Sequence, residues 1–472
     1  MLTFGECYEV VHRHTMSLSK STILAFLATT TGFSIITSAY SFYYVTVFMN
    51  LYHIEEKWFH LAQFMFLIWN AVNDPLFAYI QDSTNLKCTK TRRESVKYTG
   101  PLFAVSFLLP WIPWGDRSAL VGVHLVVALF IWDTLFTFVG LAMCGLFTEL
   151  SHDSADRVAL TQYQQIGYLI GSSSVMLLEY TSDSLHDYQA FQITAVFISV
   201  CSVVLFCYAG QNAHTEYDLK QLKDKDIEVT HNKTMNESWW KQTKQILSDR
   251  NFVSFVIANF CQEFHRTFLN NFMAILCNQL VSSQDVPKEI RQMFYGGICI
   301  MPQVLVILGK PLILHYSYYH VIRASYIYKV VAAVCMFFIG PNHPWVLMVF
   351  LMFDSCLTNA SYALINLPLA DIVYTNLVKY NRKHPISSMV FGTNALIVKP
   401  AISLSPMLVV TILNRYGYSE IKTQSADSST KEVKEVMFLL VCCFPCAIGI
   451  VQFVSWSLFA YQGRSKQIRI DV

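Results

Sequence analysis

Charged residues are scarce in this sequence. Asp, Glu, Lys and Arg make up 14% of its 472 residues, while hydrophobic residues make up 54%. Soluble globular domains carry about 25% charged residues, so this composition excludes a soluble protein of this length. The formal net charge is only +2, which gives no basis for a nucleic-acid partner. The composition therefore predicts a polytopic membrane protein whose immediate surroundings are membrane lipids.

Motifs of the common enzyme sites are also missing. The sequence has no P-loop, no dinucleotide fingerprint and no metal-ligand spacing, and its Ser, His and Asp residues fall in no nucleophile motif. We therefore expect no enzymatic activity, no cofactor and no metal. The thirteen cysteines lie mostly within apolar runs, where they are typical of packing residues rather than of a disulfide framework.

Long apolar runs predict the fold class, an all-α membrane protein with 12 transmembrane helices in two six-helix bundles. A span needs about 20 apolar residues. The predicted spans lie near residues 22–50, 58–80, 98–114, 118–148, 158–179, 189–209, 251–276, 293–314, 323–340, 345–370, 388–413 and 436–461. A polar, charge-rich stretch separates the sixth span from the seventh. We therefore predict an N-terminal bundle over residues 1–210, a linker over residues 211–250 and a C-terminal bundle over residues 251–472.

The distribution of Lys and Arg predicts the orientation in the membrane. The N-terminus, the C-terminus, the linker and the loops on their side carry 23 of these residues, and the opposite loops carry 8. By the positive-inside rule, both termini and the linker are expected to be cytoplasmic. Two N-glycosylation sequons, at Asn232 and Asn236, lie in the linker and are expected to be unused on that side. We expect the plasma membrane to be the location, with an endomembrane as the alternative.

The second predicted span contains an unusual polar stretch, WNAVNDPLFAYIQD, over residues 69–82. It places Asn70, Asn73 and Asp74 inside an otherwise apolar run, and an ionisable residue at such depth is a functional-site hypothesis. Polar residues spaced for one helical face recur along the span, so this face is expected to look into protein or water rather than lipid. Pro75 removes a helical hydrogen bond, so we expect the helix to be interrupted at Asp74.

A short pattern recurs six spans apart. In the fourth span Asp133 follows an aromatic residue and precedes a hydroxyl residue, with Thr137 four positions on, and Asp354 and Thr358 repeat this arrangement in the tenth span. The register agrees with the span count and indicates parallel repeats of the kind from which many transporter halves are built. Each Asp is either part of a functional site or a structural contact between helices.

The other ionisable residues within spans need partners, because an isolated charge at the bilayer centre costs about 2.5–3.5 kcal/mol on insertion scales. We expect Asp74 to pair with Lys399, since each of the two precedes a proline. This pair is either a switchable pair in a substrate cavity or a fixed structural bridge. In the seventh span, Glu263 and Arg266 share a face, so Arg266 either binds an anionic or amphipathic substrate or pairs with Glu263. His265 and Lys329 are the remaining interior cations.

Two blocks of the sequence resemble a known family. The block WNAVNDPLFAYIQDS, followed by a basic loop, resembles the second span and following loop of the glycoside-pentoside-hexuronide cation symporter branch of the major facilitator superfamily. The block FGTNALIVKP, over residues 391–400, resembles the eleventh span of that branch with its functional lysine. The resemblance implies the major facilitator fold with alternating access, in which Asp74 matches a cation-site carboxylate and Lys399 matches the lysine.

Departures from the pattern of that branch bear on the coupling ion. Asn70 stands where the symporters have their first span-two aspartate, the first span has no carboxylate, and Gln165 replaces an arginine of the fifth span. With one carboxylate left at the cation site, the resemblance implies proton coupling through Asp74 or uncoupled uptake rather than Na⁺ coupling. The expected function is a secondary transporter for a small organic solute. The alternatives are a transport-inactive scaffold, whose protein partners the sequence does not indicate, and a lysolipid-type carrier.

Overall fold

Helices form all of the regular structure in the residues that this computed structural model describes. These are residues 18–83, 88–115, 118–182, 185–215, 217, 239–281, 286–382, 384–416 and 427–460. The sequons at Asn232 and Asn236 lie outside the described residues.

Seven helices cover the described part of the first half of the chain and the segment that follows it. They are α1 (Lys20–Thr46), α2 (Glu56–Ser83), α3 (Arg92–Ser106), α4 (Ser118–Glu149), α5 (Ser154–Ser182), α6 (Tyr188–Asn212) and the short α7 (Trp239–Leu247). A π-helical turn, Val47–Leu51, extends α1, and a 3₁₀ turn, Leu109–Trp111, follows α3.

Eight helices follow in the second half. They are α8 (Arg250–Leu280), α9 (Lys288–Leu308), α10 (Lys310–Ile339), α11 (Pro344–Ala363), α12 (Asn366–Lys379), α13 (Ser387–Val398), α14 (Pro400–Arg415) and α15 (Asp427–Ser457). Short polar residues before several helices explain where they begin, because their side chains accept hydrogen bonds from backbone N–H groups of the first turn. Ser19, Thr91, Asp187 and Asp249 cap α1, α3, α6 and α8 in this way.

Each of the predicted spans coincides with helical structure. Within the described residues, seven helical segments are long and apolar enough to cross a membrane. The protein is therefore an all-helical membrane protein, and the count of 12 spans in two bundles stays a prediction. The eighth and ninth predicted spans meet in α10, where Ser317 breaks the helical geometry at φ 69° and ψ 147°.

The predicted interruption of the second span is wrong. α2 runs as one helix from Glu56 to Ser83 with Pro75 inside it. A proline removes one hydrogen bond and crowds the preceding turn, and a helix packed on its neighbours can absorb this as a local distortion without ending. At Lys399 the chain does break, since α13 ends at Val398 and α14 begins at Pro400.

The chain divides into two compact units. Unit 1 comprises Met1–Ile246 and Leu369–Thr393, and unit 2 comprises Leu247–Pro368 and Asn394–Val472. In unit 1, α1 packs on α5 and α6, α3 packs on α6, and α4 packs on α2 and α3. In unit 2, α8 packs on α14 and α15, α10 packs on α15, and α11 packs on α9 and α10. If the helices are numbered by predicted span, unit 1 pairs span 1 with 5 and 6, span 3 with 6, and span 4 with 2 and 3. Unit 2 pairs span 7 with 11 and 12, span 9 with 12, and span 10 with 8 and 9. Each pair of the second set thus corresponds to a pair of the first set, six spans earlier, as expected of an internal repeat.

The close contact between α1 and α5 depends on a glycine. A Cβ atom added to Gly171 would lie 2.1 Å from Ser34 Oγ and 2.3 Å from Ser34 Cβ. Such distances are far inside van der Waals contact, so the two helices reach this separation only because position 171 has no side chain.

We expect Gly171→Ala to lower the free energy of unfolding by about 1–3 kcal/mol, because the added methyl group overpacks this contact. The measurement is the thermal unfolding of the purified protein in detergent. Gly297→Ala is the matched control, since a Cβ added at this position in α9 meets nothing within 4 Å. Equal melting temperatures for the two variants would contradict the prediction.

Candidate functional site

The polar stretch of α2 faces the interior of unit 1. Asn73 is buried, and its Nδ2 donates hydrogen bonds to Asp133 Oδ2 and, at 3.1 Å, to Thr137 Oγ1. Asp74 is also buried, with 4% of its surface exposed, while Asn70 is only half-buried. Asn73 and Asp133, predicted separately as site residues, therefore belong to one cluster.

α13 approaches α2 at Asp74. A Cβ atom added to Gly392 would lie 2.6 Å from Ala78 Cβ and 3.1 Å from the carbonyl oxygen of Asp74. The glycine of the predicted eleventh-span block therefore permits direct contact with the second-span block. Lys399 lies beyond the end of α13, where it is half-buried and its backbone N–H donates to Ala395 at 2.9 Å. The Asp74–Lys399 pair stays a prediction.

Aromatic rings line the region near Asp133. The rings of Tyr40 and Trp132 are stacked, with centroids 3.7 Å apart and planes 3° apart, and Tyr44 stacks on Tyr40 at 5.4 Å. Within the described residues, the buried Tyr40 hydroxyl and Asn73 Oδ1 have no hydrogen-bond partner. Buried polar atoms are nearly always paired, so these two atoms are candidates to bind a water molecule or a polar group of a solute.

The repeated pairs, Asp133 with Thr137 and Asp354 with Thr358, each contact one and the same polar side chain within their unit. In unit 1 this side chain is Asn73. In unit 2, Asp354 Oδ2 lies 3.1 Å from His265 Nε2, and Thr358 Oγ1 lies 3.4 Å from His265 Nδ1. Asp354 therefore has a histidine as its neighbour, which the sequence analysis did not anticipate.

Lys329 lies in a buried amide network in unit 2. Its Nζ donates to Gln452 Oε1 at 3.0 Å and to Gln262 Oε1 at 3.4 Å, and only 4% of its surface is exposed. Gln452 Nε2 also donates to Gln262 Oε1 at 2.7 Å, and Gln262 Nε2 donates to the carbonyl oxygen of Thr358 at 2.6 Å. Within the described residues, Lys329 lies within 4 Å of no carboxylate, so amide oxygens solvate its charge instead.

Glu263 and Arg266 form the pair within one helix that their spacing allows. Arg266 Nη2 donates to Glu263 Oε1 at 2.6 Å, and its Nε donates to Glu263 Oε2 at 3.0 Å. The guanidinium carbon of Arg266 also lies 4.1 Å from the centroid of the Tyr362 ring. Because Glu263 already binds it at two positions, an anionic substrate would have to compete with that carboxylate.

A second cluster, which residue spacing does not predict, lies at one end of unit 1 and is centred on Arg92. Its guanidinium binds Asp82 and, through Nε at 2.8 Å, Glu149, and all three side chains are buried. The same carboxylates hold the start of α13, because Glu149 Oε1 accepts from Ser387 Oγ at 2.8 Å and Asp82 Oδ2 accepts from Met389 N at 2.6 Å. The sequence shows acidic residues at the ends of two spans and an arginine at the start of a third. It does not show that these three side chains meet.

A further ion pair holds the same segment of chain. Arg157 Nη1 donates to Asp371 Oδ1 at 2.8 Å, and Arg157 Nε donates to the carbonyl oxygen of Ser151 at 2.9 Å. Gln81 adds to these contacts, since its Oε1 accepts from Ser388 Oγ at 3.1 Å. We call the set of contacts that Gln81, Asp82, Glu149 and Arg157 make with the segment Leu369–Thr393 the polar latch.

Burial alone would lower the pKa of Arg92, but the carboxylates of Glu149 and Asp82 more than offset this and hold it above its ordinary value. The guanidinium therefore stays charged. We expect Arg92→Met to lower the free energy of unfolding by about 3–5 kcal/mol, because it leaves two buried carboxylates unpaired. Thermal unfolding in detergent measures this. Arg93→Met, at a less buried neighbouring arginine, is the control, and a similar loss in both variants would contradict the prediction.

Comparisons with known proteins agree with this architecture. The sequence model of the family described as MFS/sugar transport protein matches residues 23–462. Transmembrane protein 180 of Gallus gallus is 27% identical, covering 92% of this chain and 91% of that protein, and the protein of the same name from Mus musculus is 25% identical, covering 91% of each. The resemblance seen in the sequence is thereby confirmed.

Solved structures share the fold. The E. coli fucose:proton symporter FucP superposes with a TM-score of 0.63 at 12% identity, covering 93% of this chain and 98% of that chain. A bacterial homologue of the iron transporter ferroportin, in an outward-facing state, superposes with a TM-score of 0.61 at 13% identity, covering 93% of this chain and 98% of that chain. At these identities the likeness concerns the fold alone.

Proposed function

Because this chain belongs to the MFS/sugar transport protein family, we propose that it is a secondary transporter that moves a small organic solute by alternating access. The moving parts would be the two predicted six-helix bundles, residues 1–210 and 251–472, joined by the linker of residues 211–250 on the cytoplasmic side. The recurrence of one packing order in the two units supports this, because alternating access requires two bodies of similar construction. The plasma membrane is the proposed location.

The observation that carries the proposal is the group of buried polar atoms around Asn73. The amide oxygen of Asn73 and the hydroxyl of Tyr40 have no hydrogen-bond partner in the described part of the chain, and a buried polar atom left without one costs free energy. A solute with hydroxyl or amine groups would supply the missing donor for Asn73 Oδ1 and a partner for Tyr40. The stacked rings of Tyr40 and Trp132, the latter next to Asp133 in the chain, would give the site an apolar face.

Proton coupling is proposed to act through Asp74. This carboxylate is buried in the same helix as Asn73, and Asn70 removes the second charge that a Na⁺ site would use. A carboxylate in such a place can bind a proton and thereby lose its charge. Pairing of the ionised form with Lys399 is part of the proposal.

The polar latch provides the element that must open. It holds the segment Leu369–Thr393 against the ends of α2, α4 and α5 through buried charges. Access from that end would require the ion pair of Arg157 with Asp371 to separate together with the hydrogen bonds that Ser387, Ser388 and the Met389 N–H donate. A set of contacts that forms and breaks together has two states, and this would suit a gate that is either closed or open.

We expect Asp74→Asn to abolish the pH dependence of uptake while the protein still folds, because an amide cannot take up a proton. Untargeted metabolite profiling of cells with and without the protein would identify candidate solutes, and uptake into proteoliposomes at different external pH would follow. Asp153→Asn is the control, since this carboxylate is exposed. Normal pH-dependent uptake by Asp74→Asn would overturn the coupling proposal.

We expect Arg157→Gln to weaken the polar latch and increase amide hydrogen exchange in the segment Leu369–Thr393, because the ion pair between Arg157 and Asp371 is lost. Hydrogen–deuterium exchange of the full chain in detergent measures this without a known solute. The control is Arg93→Gln, outside the latch. Unchanged exchange in the segment would count against its role as a gate.

A further inference from the structure

The short helix α7 has one face fixed to the protein. Gln242 and Ile246 are buried, and Gln245 Oε1 accepts a hydrogen bond from Arg382 Nη2 at 2.5 Å. This contact belongs to unit 1. The orientation of α7 about its own axis is therefore set by the protein.

The opposite face combines exposed apolar and basic residues. Trp240 is 68% exposed and Leu247 is 43% exposed, and Lys241 and Lys244 are also exposed. At about 100° per residue, Trp240 and Leu247 lie on one strip of the helix, and the lysines lie beside it. Within the described residues, the side chain of Lys244 makes no hydrogen bond or ion pair. An exposed tryptophan next to lysines is typical of a helix that lies in a membrane interface.

The position of α7 in the chain places it near the membrane surface. Only Ser248 and Asp249 separate it from α8, the predicted seventh span. The start of α8 lies beside the end of α15, because Asn251 Oδ1 accepts from the backbone N–H of Ala460 at 3.0 Å. α15 contains a segment apolar enough to cross a membrane, which ends at Ser457. The start of α8 therefore lies where a membrane-crossing helix ends, and α7 lies within a few residues of it.

We propose that α7 is a binding site for anionic phospholipids, at which Lys241 and Lys244 bind the headgroups while Trp240 and Leu247 insert at the boundary of the acyl chains. The charge of the face selects this partner, since two lysines beside an apolar strip complement a phosphate layer above hydrocarbon. Lysine side chains reach toward phosphates while their methylene groups stay in the apolar layer. The predicted cytoplasmic leaflet carries the anionic lipids. This inference does not depend on the transport proposal, because none of the α7 residues belongs to the proposed solute site.

The test uses the full chain in nanodiscs of phosphatidylcholine, with or without phosphatidylserine. Native mass spectrometry counts the phosphatidylserine molecules that stay bound. We expect Lys241→Gln plus Lys244→Gln to weaken retention by about fivefold for each lysine removed, the change expected for one basic side chain at an anionic surface. Lys241→Arg plus Lys244→Arg preserves the charges and should retain the lipid. Lys57→Gln, at an exposed lysine in the first turn of α2 on the predicted opposite side, should leave retention unchanged.

Insertion is measured separately. The fluorescence of Trp240, taken as the difference between the unaltered protein and Trp240→Phe, should be quenched by lipids brominated near the headgroup end of the acyl chains. The melting temperature of each variant is measured alongside, so that a loss of folding is distinguished from a loss of lipid binding. Retention that is equal in the Gln and Arg variants, or absence of quenching in brominated nanodiscs, would overturn the proposal.

Discussion

Burying a charge among apolar helices costs several kcal/mol unless a partner meets it, and the organisation of unit 1 depends on how Arg92 satisfies this requirement. Asp82 and Glu149 come from the ends of two helices and Arg92 from the start of a third, so one ion-pair cluster fixes the relative heights of α2, α3 and α4. Asp82 then accepts a hydrogen bond from the first turn of α13 through its second oxygen, and Glu149 accepts one through the same Oε1 that binds Arg92. The charges that hold the helices together therefore also decide where a distant part of the chain docks.

The two units share the pattern of an Asp and a Thr four residues later, but the side chain that this pattern contacts differs in chemistry. In each, an Asp and the Thr four residues later hold a single polar side chain, but the partner is an amide from α2 in unit 1 and an imidazole from α8 in unit 2. Among the residues that the structure describes, the oxygen of the unit 1 amide has no hydrogen-bond partner, whereas in unit 2 the amide oxygens of Gln262 and Gln452 accept hydrogen bonds from Lys329. The internal repeat thus keeps the same Asp and Thr positions in both units, while the polar groups next to them differ.

Sequence reasoning succeeded where the relevant information is local. Apolar runs located the helices because hydrophobic length is a property of one segment, and the Glu263–Arg266 pair followed from a spacing of three within one helix. It failed where helices meet. The contact of Asn73 with Asp133 and the convergence on Arg92 depend on which helices are neighbours, and residue spacing does not encode that. The interruption expected at Pro75 was wrong because packing around α2 outweighs a local preference.

The continuity of α2 through Pro75 has a consequence for the chemistry of its polar face. Proline has no N–H group, so the carbonyl of Ala71 loses the donor that an uninterrupted backbone would provide. This carbonyl lies one turn before the carboxylate of Asp74, in the stretch that also carries Asn73. The main chain itself thus contributes an acceptor there, one that a substitution at Ala71 would not delete. Replacing Pro75 with another residue would restore a backbone N–H at position 75 and thus a donor for the carbonyl of Ala71. Pro75 therefore affects the polarity of this stretch of α2, although it does not end the helix.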